Sequence, residues 1–68
     1  MSGELKSGDR IRIVAQRRLP RYLRGDKGTI TAGPHQFGSE WRYYHVEMDK
    51  DRPPHAVVFT EEEIESDV

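Results

Sequence analysis

Four arginines, Arg17, Arg18, Arg21 and Arg24, fall within one short stretch that also holds Leu19, Pro20 and Tyr22. A guanidinium is a permanently charged, planar fork of donors that suits carboxylates and phosphates. Such a stretch reads in three ways: a solvated basic loop, a protein-docking loop, or a nucleic-acid contact. An apolar residue held on a proline-stiffened loop among arginines is closer to an interface hot spot than to a phosphate clamp. The expected contact set toward a protein partner is therefore Arg17, Arg18, Leu19, Pro20, Arg21, Tyr22 and Arg24.

Other residues that could do chemistry are weaker candidates. His35, His45 and His55 stand ten residues apart, which places no two on adjacent helical turns, and no cysteine joins them, so no metal site is expected. Ser2, Ser7, Ser39 and Ser66 lie in no nucleophile elbow. The carboxylates between Glu61 and Glu65 could supply an acid–base pair, yet a run of like charges at a chain end is usually a solvated face. Trp41, beside Arg42-Tyr43-Tyr44, heads the main aromatic cluster. Core packing is its first reading; in the second, Trp41 and Tyr43 face outward and join the binding surface. A barrel of this size offers little room for a water-excluding pocket. The chain alone is expected to be no enzyme and to carry no cofactor.

With 68 residues the chain holds one domain, near the lower limit of what folds without staples, and it has no cysteine to supply a disulfide or thiolate site. Leu, Ile, Val and Phe make up 14 residues, a composition that approaches disorder, but the net charge of −1 argues for a folded chain. Loose ends are expected at about 1–4 and 66–68. Without a long apolar run or a signal-like N-terminus, the expected location is cytoplasmic. Residues 1–34 carry 8 Lys/Arg against 3 Asp/Glu, and residues 35–68 carry 3 against 9. Either the two halves neutralise each other across strands, or the basic half forms a docking face.

The elements that must position these residues read as short strands. After Gly8-Asp9, the stretch Arg10 to Val14 alternates charged and β-branched residues, with Ile11 and Ile13 inward. Gln16 to Arg24 is a long loop, because Pro20 opposes a helix. The Gly25-Asp26-Lys27-Gly28 turn leads into a second strand, Thr29 to Ala32, with Ile30 inward, ended by Gly33-Pro34 and followed by a polar loop from His35 to Glu40. A third strand runs from Trp41 to Met48, where Val46 and Met48 favour burial of the even-numbered set. Asp49 to Pro54 is a charged loop, since its prolines cannot donate to a ladder. A fourth strand covers Ala56 to Phe59. Thr60 followed by Glu63 is a capping box for one helical turn, and Ile64 opens a brief last strand. The expected fold is all-β: an SH3-like barrel of four to five short antiparallel strands with one short helical turn near the C-terminus, spanning 1–68.

Three segments, Gly8-Asp9-Arg10-Ile11-Arg12-Ile13, Arg18-Leu19-Pro20-Arg21-Tyr22-Leu23-Arg24-Gly25 and Lys27-Gly28-Thr29-Ile30, resemble the C-terminal barrel of the nitrile hydratase β subunit. The middle segment is the specific one. A fainter likeness continues through Tyr44-His45-Val46-Glu47-Met48-Asp49. The resemblance implies an SH3-like fold and a place beside a cysteine-rich, metal-binding α-type subunit. It further implies that Arg18 corresponds to an arginine that reaches the partner's oxidised cysteine ligands. The chain departs from the family in having no counterpart of its large N-terminal helical region, no cysteine cluster, and Val57-Val58-Phe59-Thr60-Glu61 in place of a tryptophan-containing strand. The resemblance therefore implies an accessory subunit or chaperone, with Arg18 contributed to a partner's active site, and no hydration of nitriles by the chain itself.

The expected function is thus a non-catalytic protein-binding accessory module. The glycine turn at 25–30 also resembles KOW-type ribosomal and transcription barrels, which gives a nucleic-acid-binding alternative in which arginines meet phosphates while Tyr22, Trp41 and Tyr43 stack on bases. The acidic run at 61–63 opposes it. A small stabilising subunit of a redox complex is a third alternative on the same scaffold.

Overall fold

The computed structural model describes residues 5–39 and 41–68, with Phe37 by its backbone alone. The first expected loose end, 1–4, lies outside the described residues. Five strands follow in chain order: β1 Arg10–Ile13, β2 Lys27–Phe37, β3 Trp41–Met48, β4 Ala56–Thr60 and β5 Ile64–Ser66. They form one antiparallel sheet in the order β4-β3-β2-β1-β5. The all-β expectation holds. The two edge strands, β4 and β5, are separated in the chain by three residues, 61–63. Among the described residues no helix is long and apolar enough to cross a membrane.

Strand parity builds the core. In β1 the charged Arg10 and Arg12 face outward while Ile11 and Ile13 are buried. The even-numbered side of β3, Tyr44, Val46 and Met48, is buried as well, and it meets Ile30, Phe59 and Ile64. Tyr22 from the long loop completes the cluster, its ring edge-on to Phe59 with centroids 5.8 Å apart. Gly28 lets β2 approach β3 closely: a Cβ there would stand 2.8 Å from the Glu47 carbonyl and 2.9 Å from both the Met48 sulfur and a Val46 methyl.

Three local expectations are corrected. β2 continues to Phe37 instead of stopping at Gly33-Pro34, and the expected loop from His35 to Glu40 begins only at Gly38. The reason is an irregularity in the ladder between Ala32 and His35, after which His35 pairs with Tyr43 and Gln36 with Arg42. Gly33, at φ 128°, and Pro34, which has no N–H, sit within that irregularity, where a proline costs no ladder bond. The segment 61–63 forms a hydrogen-bonded turn and no helix. Its capping box is present, with the Glu63 amide donating to the Thr60 carbonyl at 3.0 Å and the Thr60 amide to the Glu63 carboxylate at 2.8 Å, but β5 starts immediately afterwards. Finally, Ser66 belongs to β5, pairing with Ile11, and the Asp67 amide donates to the Arg10 carbonyl at 3.0 Å.

The uneven charge along the chain is resolved across strands. Arg10 pairs with Asp49, Arg12 with Glu65 and Asp67, Lys27 with Asp67, Arg18 with Glu63, and Arg21 with Asp51. Each pair joins the basic half to the acidic half, which is the first of the two readings of that asymmetry.

Candidate functional site

The loop between β1 and β2 is long but heavily tied. Gln16 accepts from the Leu19 amide at 2.9 Å and donates to the carbonyls of Leu19 and Tyr22. The Tyr22 amide closes a turn on the Leu19 carbonyl at 3.0 Å. From the other side, the Lys50 ammonium donates to the Arg21 carbonyl at 2.8 Å and to Asp26 at 2.9 Å. Asp26 also accepts from the Leu23 amide at 2.9 Å, the main influence holding its carboxyl below the usual carboxylate range. Leu19 and Pro20 are thereby presented on a fixed turn, Leu19 half-buried against the core and Pro20 exposed.

The seven residues expected at the contact surface do not share one role. Arg18 reaches across to β4 and the turn before β5: its guanidinium donates to the Glu63 carboxylate at 2.7 Å and to the Val58 carbonyl at 3.1 Å. Because the Thr60 amide donates to the same carboxylate, Arg18 and Glu63 together cover backbone groups on the outer edge of β4. Uncovered edge groups invite another strand, so this pair protects the sheet. Arg21 and Tyr22 instead serve Asp51. That carboxylate is fully buried, receiving the Tyr22 hydroxyl at 2.6 Å and the Arg21 guanidinium at 2.8 Å, with His55 at 3.8 Å. The Tyr22 hydrogen bond, ahead of Arg21, holds the Asp51 carboxyl below the usual carboxylate range even though burial pushes the other way. Burial in turn raises the Tyr22 phenol above its ordinary value, with the Asp51 charge adding to it. Tyr22 is thus packed into the core, at 5% exposure. Arg17 and Arg24 are exposed and take part in none of these contacts.

A second surface lies on the outer face of β3 and β4. Because Val46 and Met48 claim the inner side, the odd-numbered set faces outward: Trp41 is exposed, and Tyr43 and His45 are half-buried. The core reading of Trp41 is therefore replaced by the outward one. Tyr43 pairs with Thr60 and His45 with Val58. Trp41, Tyr43, Val58 and Thr60 line a shallow, almost wholly apolar depression of about 380 Å³. Beyond Val58 a second depression, about 520 Å³, runs between β4 and the turn of Leu19 and Pro20. Val58 belongs to both, so the two form one continuous face. At its Trp41 end stand the exposed Glu61 and Glu62, the Glu61 amide donating to the Arg42 carbonyl at 3.0 Å.

The sequence pointed to Trp41 and Tyr43 but not to Val58, Leu23 or Asp51. Leu23 and Val58 are exposed apolar residues whose sequence neighbours look like ordinary loop and strand. Asp51 lies among Lys50, Arg52 and two prolines, and nothing in that charged setting distinguishes a buried carboxylate from a solvated one. Among the described residues no group of three or more His, Cys, Asp or Glu could hold a metal ion. Compared with protein-family models, with curated proteins and with solved structures, the chain matches none of them.

Proposed function

We propose that this chain is a non-catalytic protein-binding module on an SH3-like barrel, docking a partner along the face that runs from Trp41 over Val58 to Leu19 and Pro20. The strand order, with edge strands joined by a three-residue turn, supports the scaffold. The observation that carries the function is the exposed apolar face itself: Trp41 at 51% and Val58 at 42% exposure beside a pre-formed turn. Contiguous exposed apolar surface marks interaction sites, and tryptophan is enriched among residues that dominate binding energy. A turn already fixed by Gln16 and Lys50 loses little freedom on docking.

The resemblance to the nitrile hydratase β subunit makes a cysteine-rich, metal-binding α-type subunit the first partner to test. In that setting Arg18 would exchange Glu63 for the partner's oxidised sulfur, since one guanidinium fork serves either set of oxygens. The nucleic-acid alternative draws support from the outward Trp41 and Tyr43, on which bases could stack. Against it, Glu61 and Glu62 adjoin that patch, and Arg18 and Arg21 already hold carboxylates.

Capture from native lysate, with nuclease present and absent, tests the proposal. Arg21→Ala is a poor probe because it also strips a partner from buried Asp51. Trp41→Ser and Leu19→Ser are better, since Trp41 is exposed and Leu19 only half-buried. The proposal expects a protein captured by wild type, retained after nuclease and lost with Trp41→Ser. Capture that disappears with nuclease favours the nucleic-acid reading.

A further inference from the structure

The ladder irregularity at Gly33 and Pro34 has a chemical result on the outer face. It sets His35 opposite Tyr43, two residues from His45 on the same strand, and the His35 and His45 ring centres lie 5.0 Å apart with planes inclined by 56°. The Tyr43 ring flanks both, at 5.1 Å from His35 and 6.0 Å from His45. Both imidazoles are half-buried, so sheet and tyrosine restrict them while solvent still reaches them. Each imidazole contacts the other and the Tyr43 ring.

The separation is within the range that two imidazoles sharing one metal ion span. With a metal–nitrogen bond of about 2.0 Å, an imidazole centre lies ~3.1 Å from the ion, and two imidazoles have centres about 4.4 Å apart at the right angle of a square-planar ion and about 5 Å apart at a tetrahedral angle, so a small ring rotation serves either. Spacing along the chain argued against a metal because it considered neighbouring turns of a helix; pairing across strands brings the same residues together by another route. We propose that His35 and His45 chelate one divalent transition-metal ion, with Cu2+ bound most tightly. Neutral imidazole suits copper, nickel and zinc, and among these copper leads in affinity at nitrogen sites. With no third protein ligand of the usual kinds among the described residues, the other positions fall to water and remain open to exchange.

The test uses untagged, full-length protein titrated with Cu2+ and followed by calorimetry and electron paramagnetic resonance. Wild type is expected to bind one ion per chain with hyperfine structure from two nitrogens. His35→Gln and His45→Gln should each weaken binding at least tenfold and leave a one-nitrogen signal. His55→Gln, altering the histidine beside Asp51, should leave binding unchanged. As a check that needs no variant, Zn2+ added to wild type should shift the His35 and His45 imidazole resonances together, saturating at one equivalent. Wild-type affinity no greater than that of the single variants would overturn the proposal, as would binding that depends on His55 or imidazole shifts that exclude either residue.

Discussion

At the start of β3 an indole stands half exposed, and three residues past the strand's other end a carboxylate has no exposure at all: Trp41 is at 51% and Asp51 at 0%. Polarity alone would place them the other way round. The difference lies in the partners each end receives. Asp51 is reached by the tied loop, which brings a phenol and a guanidinium to its oxygens, and a buried charge is tolerable only when so paired. Trp41 lies on the side of β3 opposite the core, and it pairs in the ladder with Phe37 at the open end of β2. One end of the strand uses its unusual residue to fasten a loop; the other leaves its residue available.

Substitutions that exchange the two environments give the largest effects. Asp51→Ala leaves the Tyr22 hydroxyl and the Arg21 guanidinium without their acceptor and should lower the melting temperature by more than about 10 °C, measured by circular dichroism. Tyr22→Phe keeps the ring against Phe59 and removes only the hydroxyl, so a smaller loss of about 1–3 kcal/mol is expected in urea unfolding.

Acid should act on the same end. Asp51, Asp49 and Asp26 have carboxyls held below their ordinary range, Asp51 chiefly by Tyr22, Asp49 by Arg10 and Asp26 by the Leu23 amide. Glu63 is lowered as well, the Arg18 and Thr60 hydrogen bonds outweighing an opposing effect of burial. A carboxyl whose folded value is depressed contributes stability above its unfolded value, and loses it as pH falls through the folded one. The urea midpoint should therefore be nearly flat from pH 7 to about 5 and fall between about pH 4 and 2. In Asp51→Asn that fall should be shallower.

Smaller effects belong to the exposed side. Arg18→Ala breaks a half-exposed pair, so a loss of at most about 1 kcal/mol is expected, accompanied by concentration-dependent self-association in sedimentation as the β4 edge is uncovered. Trp41→Ser should change stability least, within about 1 kcal/mol, by the same urea assay. A large loss there would erase the contrast with Asp51.

Much of this was legible in the sequence because strand parity is a local signal. Alternation in Arg10 to Ile13, and Val46 with Met48 in β3, identified the inward faces, and the Ala56 to Phe59 strand followed from the prolines before it. The extension of β2 was not legible, because Gly-Pro ends most strands and only the ladder on β3 carries this one past it. The meeting of His35 with His45 depends on that extension. Asp51 was hidden for another reason: its burial is decided by Tyr22 and Arg21, some thirty positions earlier, and no local pattern encodes such a contact. The arginine stretch was seen as one contact loop, whereas two of its arginines are consumed by Glu63 and Asp51.

Site-specific photo-cross-linking in the cells that make the protein tests the central claim most directly, with a benzophenone amino acid at Val58 on the apolar face or at Glu65 on β5. The account predicts a discrete protein adduct from position 58, abolished by Trp41→Ser, and none from position 65. Equal adducts from both positions, or a position-58 adduct that survives Trp41→Ser, would contradict it.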